Sequence, residues 1–343
     1  MKAGVKLNEG AGHFAVQELD KPVIGDTDVL VEVKASGVCG SDVLLYEWLY
    51  RGRFPVVPPV VLGHEGAGVI AEVGKSVRGL EIGERVVVEA IIGCGNCYYC
   101  QKGHPNLCPQ WEHLGITRDG TFAEYIKLPM SAVHKLPDSV SFEEGALVEP
   151  LGIVVNAFDR IRVGLGDTIV IVGPGTLGLL ATQAARSYGA SKVIVLGLGK
   201  DRVRLEKARA LGADVTVISD QGDPVKKVLD VTDGMGADIV IESGGTKESF
   251  GLAFEVVRGR GQIVAMGYAA EGKVAPVRYA RQELAMFGVC ACVARHYEEA
   301  LKWLAHGKAS TTAIVSHRLS LGEAERGIEL MRDKEASKVC INL

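Results

Sequence analysis

Four cysteines crowd one short run, Cys94, Cys97, Cys100 and Cys108, spaced C-x2-C-x2-C-x7-C. Zinc binds thiolates tightly and has no geometric preference of its own, and four protein ligands leave no position for a substrate. The pattern predicts a structural zinc. Gly93 and Gly95 allow the tight turns between ligands. Disulfides are the first rival, but Met1 to Lys6 show no apolar signal core, and a chain of 343 residues has no need of covalent staples. An iron–sulfur cluster is the second, since Cys108 precedes Pro109. Bacterial ferredoxins separate their last two cysteines by three residues, and here seven intervene.

A closed site sends the search for chemistry elsewhere. Cys39 lies in Gly37-Val38-Cys39-Gly40-Ser41-Asp42, His64 in Gly63-His64-Glu65-Gly66, and Glu149 in Val148-Glu149-Pro150. A thiolate, an imidazole and a carboxylate with one exchangeable position make a catalytic zinc site. Singly, each has a plainer reading: a cysteine is more often core, and a histidine more often a hydrogen-bonded structural residue. The remaining Cys290, Cys292 and Cys340 read as small buried hydrophobes.

A third pattern is Gly173-Pro174-Gly175-Thr176-Leu177-Gly178. Glycine-rich turns are common, but this one follows the apolar run 168–172 and opens a helical pattern over 177–188, the context of a dinucleotide-binding turn. The helix N-terminus offers free N–H groups to a pyrophosphate. About twenty residues on, a ribose-binding carboxylate is expected. Gly197 stands there, followed by Lys200, Asp201 and Arg202. The absent carboxylate and the two cations admit NADP, while Asp201 could swing in to serve NAD; the choice stays open.

These residues need two kinds of scaffold. Residues 29–35, 67–73 and 85–89 alternate apolar and polar side chains between Gly and Pro punctuation, the mark of half-buried strands in a barrel-like β domain. From 152 the texture changes to continuous apolar strands at 168–172, 192–196, 215–218, 238–242 and 261–266, with helices between, such as 202–211. That alternation predicts an α/β doubly wound parallel sheet. A helix over 298–305 and a strand over 338–341 are expected to return to the first domain. The division is therefore 1–151 with 288–343 for the β domain, and 152–287 for the dinucleotide-binding domain. The net charge of −4 leaves no basic footprint for nucleic acid, and no uninterrupted apolar run is long enough to span a bilayer. The cytoplasm is the expected compartment.

Taken in order, the Cys39 turn, Gly63-His64-Glu65, the four-cysteine loop, Glu149-Pro150-Leu151 and the 173–178 turn resemble the zinc-dependent medium-chain dehydrogenases/reductases of the alcohol dehydrogenase superfamily. The likeness covers nearly the whole chain. Glu149, where alcohol dehydrogenases place a second cysteine, resembles the sorbitol (polyol) and threonine dehydrogenase branches, and Tyr46-Glu47-Trp48 is similar to the latter. The resemblance implies a GroES-like β-barrel catalytic domain and a Rossmann domain, two zinc ions per subunit, NAD or NADP, and a homodimer or homotetramer. It implies that Cys39 and His64 bind the catalytic zinc, that Glu65 and Glu149 are ligands or hydrogen-bonding partners at that centre, and that Ser41 starts a proton relay. Cys94, Cys97, Cys100 and Cys108 would hold the second zinc, and Val264 and Met266 would line the nicotinamide side. Hydride would pass between a secondary alcohol and the nicotinamide.

Two positions depart from those branches: Leu44 replaces a histidine of the relay or pocket, and Ala291 replaces an arginine. Both bear on the substrate. Polyol oxidation is the leading expectation and L-threonine 3-dehydrogenase activity the second. The remaining class is a non-catalytic nucleotide-binding member, which would not need Cys39, His64 and Glu149 together.

Overall fold

The computed structural model describes residues 1–50, 55–268, 271–272, 274 and 276–343. They divide into two compact units, Met1–Gly152 with Ala291–Leu343, and Ile153–Cys290.

The first unit is organised by the long strand Asp28–Val38. It pairs antiparallel with Glu65–Val73, Tyr125–Pro129 and the C-terminal strand Val339–Asn342. Period-two alternation decides what each face buries. Val29, Val31 and Val33 meet Ile70, Val86, Val88, Ile126 and Leu128 in one core. Val38, at the far end of the strand, joins Leu45, Val339 and Ile341 in another. The C-terminal strand thus joins the first unit's sheet. A second sheet pairs Phe14–Glu18, Lys2–Lys6 and Val60–Val61. The fully buried Lys6 ammonium is satisfied by the carbonyls of Gly10, Gly12 and Tyr46.

The second unit carries six strands, all parallel, ordered Val215–Ile218, Lys192–Gly197, Thr168–Val172, Ala237–Glu242, Val257–Ala265, Ala285–Gly288. The chain starts in the middle, winds outward one way, then reverses, leaving a crevice outside the carboxyl ends of Thr168–Val172 and Ala237–Glu242. The central strands lie within 4% of full burial at Val170, Val172, Ile194, Leu196, Val240 and Ile263. Each such side chain contributes about 1.5–3 kcal/mol, which is why their sequences run apolar without alternation. The strand expected over 261–266 begins earlier, at Val257, because the pairing with Ala237–Glu242 shifts register and admits extra residues. Val289 N–H donates to Ala265 O, carrying the sheet edge past Gly288.

Candidate active site and metal centres

The sulfurs of Cys94, Cys97, Cys100 and Cys108 lie within 4.8 Å of one another. The loop that carries them is shaped for sulfur. Backbone N–H groups of Cys94 and Gln110 donate to Cys108 Sγ at 3.4 and 3.3 Å, and Cys100 N–H donates to Cys97 Sγ at 3.5 Å. Such donors stabilise negative charge on sulfur. The Cys94 thiol is lowered to about 7, chiefly by the backbone N–H of Asn96. Four thiols at this separation, with amides already aimed at them, fit a tetrahedral zinc.

The second cluster is assembled from distant pieces. Cys39 caps the helix Gly40–Tyr46, and His64 directly precedes the strand Glu65–Val73. Asp42 ties the two loops together: its Oδ2 accepts Cys39 N–H at 2.8 Å and its Oδ1 accepts Gly63 N–H at 3.1 Å. Gly63 sits at φ +86°, and Gly37 makes room for the next carboxylate, since a Cβ there would stand 1.9 Å from Glu65 Oε2. One ligand atom each from Cys39, His64 and Glu65 falls within 4.8 Å of the others. Glu149 does not belong to that group. It lies in the first turn of the helix Val148–Phe158, 4% exposed, and its carboxyl feels the charges of His64, Glu65, Cys39 and Lys338. Ser41 Oγ lies 3.5 Å from His64 Nε2.

Electrostatics single out the same place. Among the described residues, His64 Nδ1 and Glu149 Oε2 are buried with no hydrogen-bond partner, while Glu65 Oε2 has only the Lys338 ammonium beside it. Each such orphan costs about 1–3 kcal/mol. Burial pushes the Cys39 thiol up to about 11 and the Glu149 carboxyl up to about 8. A cation reverses both costs, by replacing the thiol proton and by satisfying the bare oxygen and nitrogen. The donor set of thiolate, imidazole and carboxylate therefore fits zinc.

Three residues of this site escape sequence reasoning. Lys338, 1% exposed, sets its ammonium 2.6 Å from both Glu65 oxygens, with the directed hydrogen bond going to Oε1, and donates a second to Val38 O at 2.8 Å. Burial alone would lower that ammonium; the charges of Glu65 and Cys39 outweigh it and hold it above the ordinary lysine range. Asp42 is the second. His113 is the third: its ring meets His64 edge-on with centroids 4.9 Å apart, and burial lowers it to about 3. Its Nδ1 lies 2.6 Å from Leu114 O, so Nδ1 carries the proton and Nε2 is the bare acceptor. The sequence offers small signals for two of them. Asp42 sits three residues after a helix cap, and Lys338 opens an otherwise apolar strand.

Tyr46-Glu47-Trp48 is committed to packing. Tyr46 Oη donates to Glu325 at 3.0 Å, Glu47 pairs with Arg332, and the Trp48 ring lies under Lys6. Leu44 is half-buried in the helix after Cys39, and Ala291 has φ +48°. Cys292 and Cys340 are buried as expected, but Cys290 is only half-buried, in reach of Tyr268 Oη at 3.8 Å.

In the second unit, the 173–178 turn has the geometry its pattern predicts. A Cβ on Gly178 would lie 1.9 Å from Gly173 O, so the helix Thr176–Ser187 packs against the strand only because that Cβ is absent. Around Gly175 there is open space, and the helix start has no side-chain cap. Free N–H groups facing a bare glycine fit a pyrophosphate. Thr176 and Leu177 are half-buried beside it. Gly197 ends its strand with no room for a larger residue, a Cβ meeting Pro174 Cγ at 2.8 Å. Asp201 is not free to swing: it accepts Leu198 N–H at 3.0 Å and lies 3.5 Å from Arg204. Lys200 and Arg202 are exposed, and Val264 and Met266 are buried at the end of the fifth strand.

Comparison with known proteins converges on one family. Residues 25–138 match the alcohol dehydrogenase GroES-like domain and residues 176–306 the zinc-binding dehydrogenase domain. A sorbitol dehydrogenase of Halalkalibacterium halodurans is 37% identical over 99% of both chains. An L-threonine 3-dehydrogenase of Pyrococcus horikoshii is 34% identical over 100% of this chain and 99% of its own. A zinc-binding dehydrogenase of Sinorhizobium meliloti, solved bound to NADP, superposes with a TM-score of 0.90 at 32% identity over 100% and 99% of the two chains. With its donor clusters, its dinucleotide turn and relatives matched from end to end, this chain belongs to the zinc-dependent alcohol dehydrogenase family, built from a GroES-like domain and a Rossmann domain.

Proposed function

We propose that this chain oxidises a secondary alcohol of the polyol class to the ketone, passing the hydride to NAD(P), at a centre formed by Cys39, His64, Glu65 and Glu149. The observation that carries the reading is the close trio of unlike donors, half-buried Cys39 with buried His64 and Glu65, beside the unpartnered His64 Nδ1 and Glu149 Oε2. Cys39, His64 and Glu65 would hold the ion, with Glu149 close enough to sense all three and to exchange with them. Zinc, when bound, supplies a Lewis acid that makes the substrate hydroxyl acidic at neutral pH. Ser41, 3.5 Å from His64 Nε2, is placed to take the departing proton. Lys338 fixes one oxygen of Glu65, and burial of the cluster to within 4% at His64, Glu65 and Glu149 keeps competing water out. The nicotinamide supplies the two-electron chemistry. The Gly173, Gly175, Thr176, Leu177 and Gly178 turn would hold the pyrophosphate, with Gly197, Lys200 and Arg202 at the adenosine ribose. Asp201, spent on its local cap, drops out of that set. Cys94, Cys97, Cys100 and Cys108 would hold a second, structural zinc.

The relatives include both sorbitol and threonine dehydrogenases. The polyol reading is preferred because Tyr46, Glu47 and Trp48, which resemble the threonine branch, are occupied by packing contacts. A panel of sorbitol, xylitol, L-threonine and simple secondary alcohols, each with NAD and NADP and followed by nicotinamide absorbance, tests it. Fastest turnover on a polyol is expected. Turnover of L-threonine alone would replace the reading with the second one, and no hydride transfer to either cofactor would end it.

Among the described residues no helix is long and apolar enough to cross a membrane. The setting we infer is a cytoplasmic homodimer or homotetramer acting on a small molecule, without nucleic acid. The sheet's last strand Ala285–Gly288 supports self-association: among the described residues its outer edge pairs with no other strand, with Met286 and Tyr279 exposed.

A further inference from the structure

We infer that this chain selects the 2′-phosphorylated cofactor, NADP, through Lys200 and Arg202. The inference rests on the dinucleotide-binding reading of the second unit and concerns one subsite of it, the loop after the strand Lys192–Gly197.

Selection against a 2′-phosphate needs a carboxylate at the end of this strand, where it binds both ribose hydroxyls and repels the phosphate. Gly197 removes it, and the Pro174 and Leu205 side chains, 2.8 and 3.1 Å from where a Cβ would lie, close that position to a larger residue. Asp201 cannot replace it. Its side chain is 6% exposed, one oxygen accepts Leu198 N–H at 3.0 Å, and the other lies 3.5 Å from the Arg204 guanidinium. Its charge is thus spent inside the short helical turn Gly199–Asp201. Lys200 and Arg202, on either side of it, are exposed, and among the described residues neither side chain forms a hydrogen bond or ion pair. Arg202 also borders a cavity of about 540 Å³ shared with the cations Arg209 and Lys227 and the carboxylates Glu206 and Asp230, so protein does not close over it. The carboxylate bound to the loop itself is Asp220, exposed, whose Oδ1 accepts Gly199 N–H at 2.8 Å. Lys200 and Arg202, both free of partners among the described residues, favour a dianionic group beside this loop, and a guanidinium can grip phosphate through two parallel hydrogen bonds. A 2′-hydroxyl would gain nothing from either cation.

The test is binding, not turnover. The zinc-loaded full chain is titrated with NADPH and NADH by fluorescence of the bound nicotinamide. NADPH is expected to bind about tenfold tighter or better, with a steeper loss of affinity as salt rises. Lys200→Gln with Arg202→Gln should erase that advantage and its excess salt dependence, leaving NADH within about threefold. Gly197→Asp should reverse the preference; since that side chain meets Pro174, the double variant decides the matter if this one fails to fold. NADH binding as tightly as NADPH, or a double variant that keeps the preference, overturns the inference while leaving the dehydrogenase reading intact. Failure to bind either nucleotide would remove both.

Discussion

The two donor clusters of the first unit are built on opposite plans. In the cysteine loop four like donors come from fifteen consecutive residues, and backbone amides of the loop donate to the sulfurs of Cys97 and Cys108. At the Cys39 cluster three unlike donors come from two segments, Cys39 from one and the adjacent His64 and Glu65 from the other, and the Lys338 ammonium reaches Glu65 from 273 residues away. Local assembly of one ligand type saturates a metal and leaves nothing to exchange. Long-range assembly of mixed ligands leaves polar atoms unspent, as at Glu149 Oε2, and such atoms are available to chemistry. On the proposed function, one site would hold shape and the other would turn over substrate.

The contrast is breakable. The largest effect is expected in the loop: Cys97→Ser should release its metal and, with the ordering that depends on it, lower Tm by roughly 10 °C or more while metal analysis still finds one zinc per chain. An unchanged Tm with zinc lost would deny the loop its structural role. Next, Lys338→Met strands the Glu65 charge in a fully buried place and should destabilise the chain by about 3–5 kcal/mol in urea unfolding, with partial recovery in the Lys338→Met, Glu65→Gln double variant. No recovery would mean that the lysine matters only for packing. A smaller effect separates the clusters by pH. Burial raises the Glu149 carboxyl from 4.5 to about 8, so the folded metal-free protein holds a proton that the unfolded chain has released. Stability of the metal-free protein should therefore fall as pH rises from 4.5 to about 8, and Glu149→Gln should flatten that fall. Equal slopes in the two proteins would place the Glu149 side chain in water.

What could be read from the sequence follows the same division. The cysteine loop and the 173–178 turn are legible because their partners are neighbours: spacing alone fixes which sulfurs meet, and a glycine three residues on explains the close approach of helix to strand. Cys39, His64 and Glu149 are nameable by type, yet the structure groups Glu65 with the first two, since Gly37 clears the space it needs. Nothing in the order of residues announces that Lys338 reaches Glu65, which depends on the pairing of Val339–Asn342 with Asp28–Val38, or that the His113 ring meets His64 edge-on. Asp201 shows the reverse case. Its short local bond from Leu198 N–H overrides the longer-range role that chemistry alone would assign.

The central claim is that the Cys39 cluster, and not the cysteine loop, holds the metal on which turnover depends. The most direct measurement is zinc content by mass spectrometry alongside turnover for His64→Ala. The account predicts a fall from two zinc ions per chain to one, cofactor binding and Tm close to the parent, and activity reduced by about three orders of magnitude or more. Two zinc ions retained with parental turnover would contradict it.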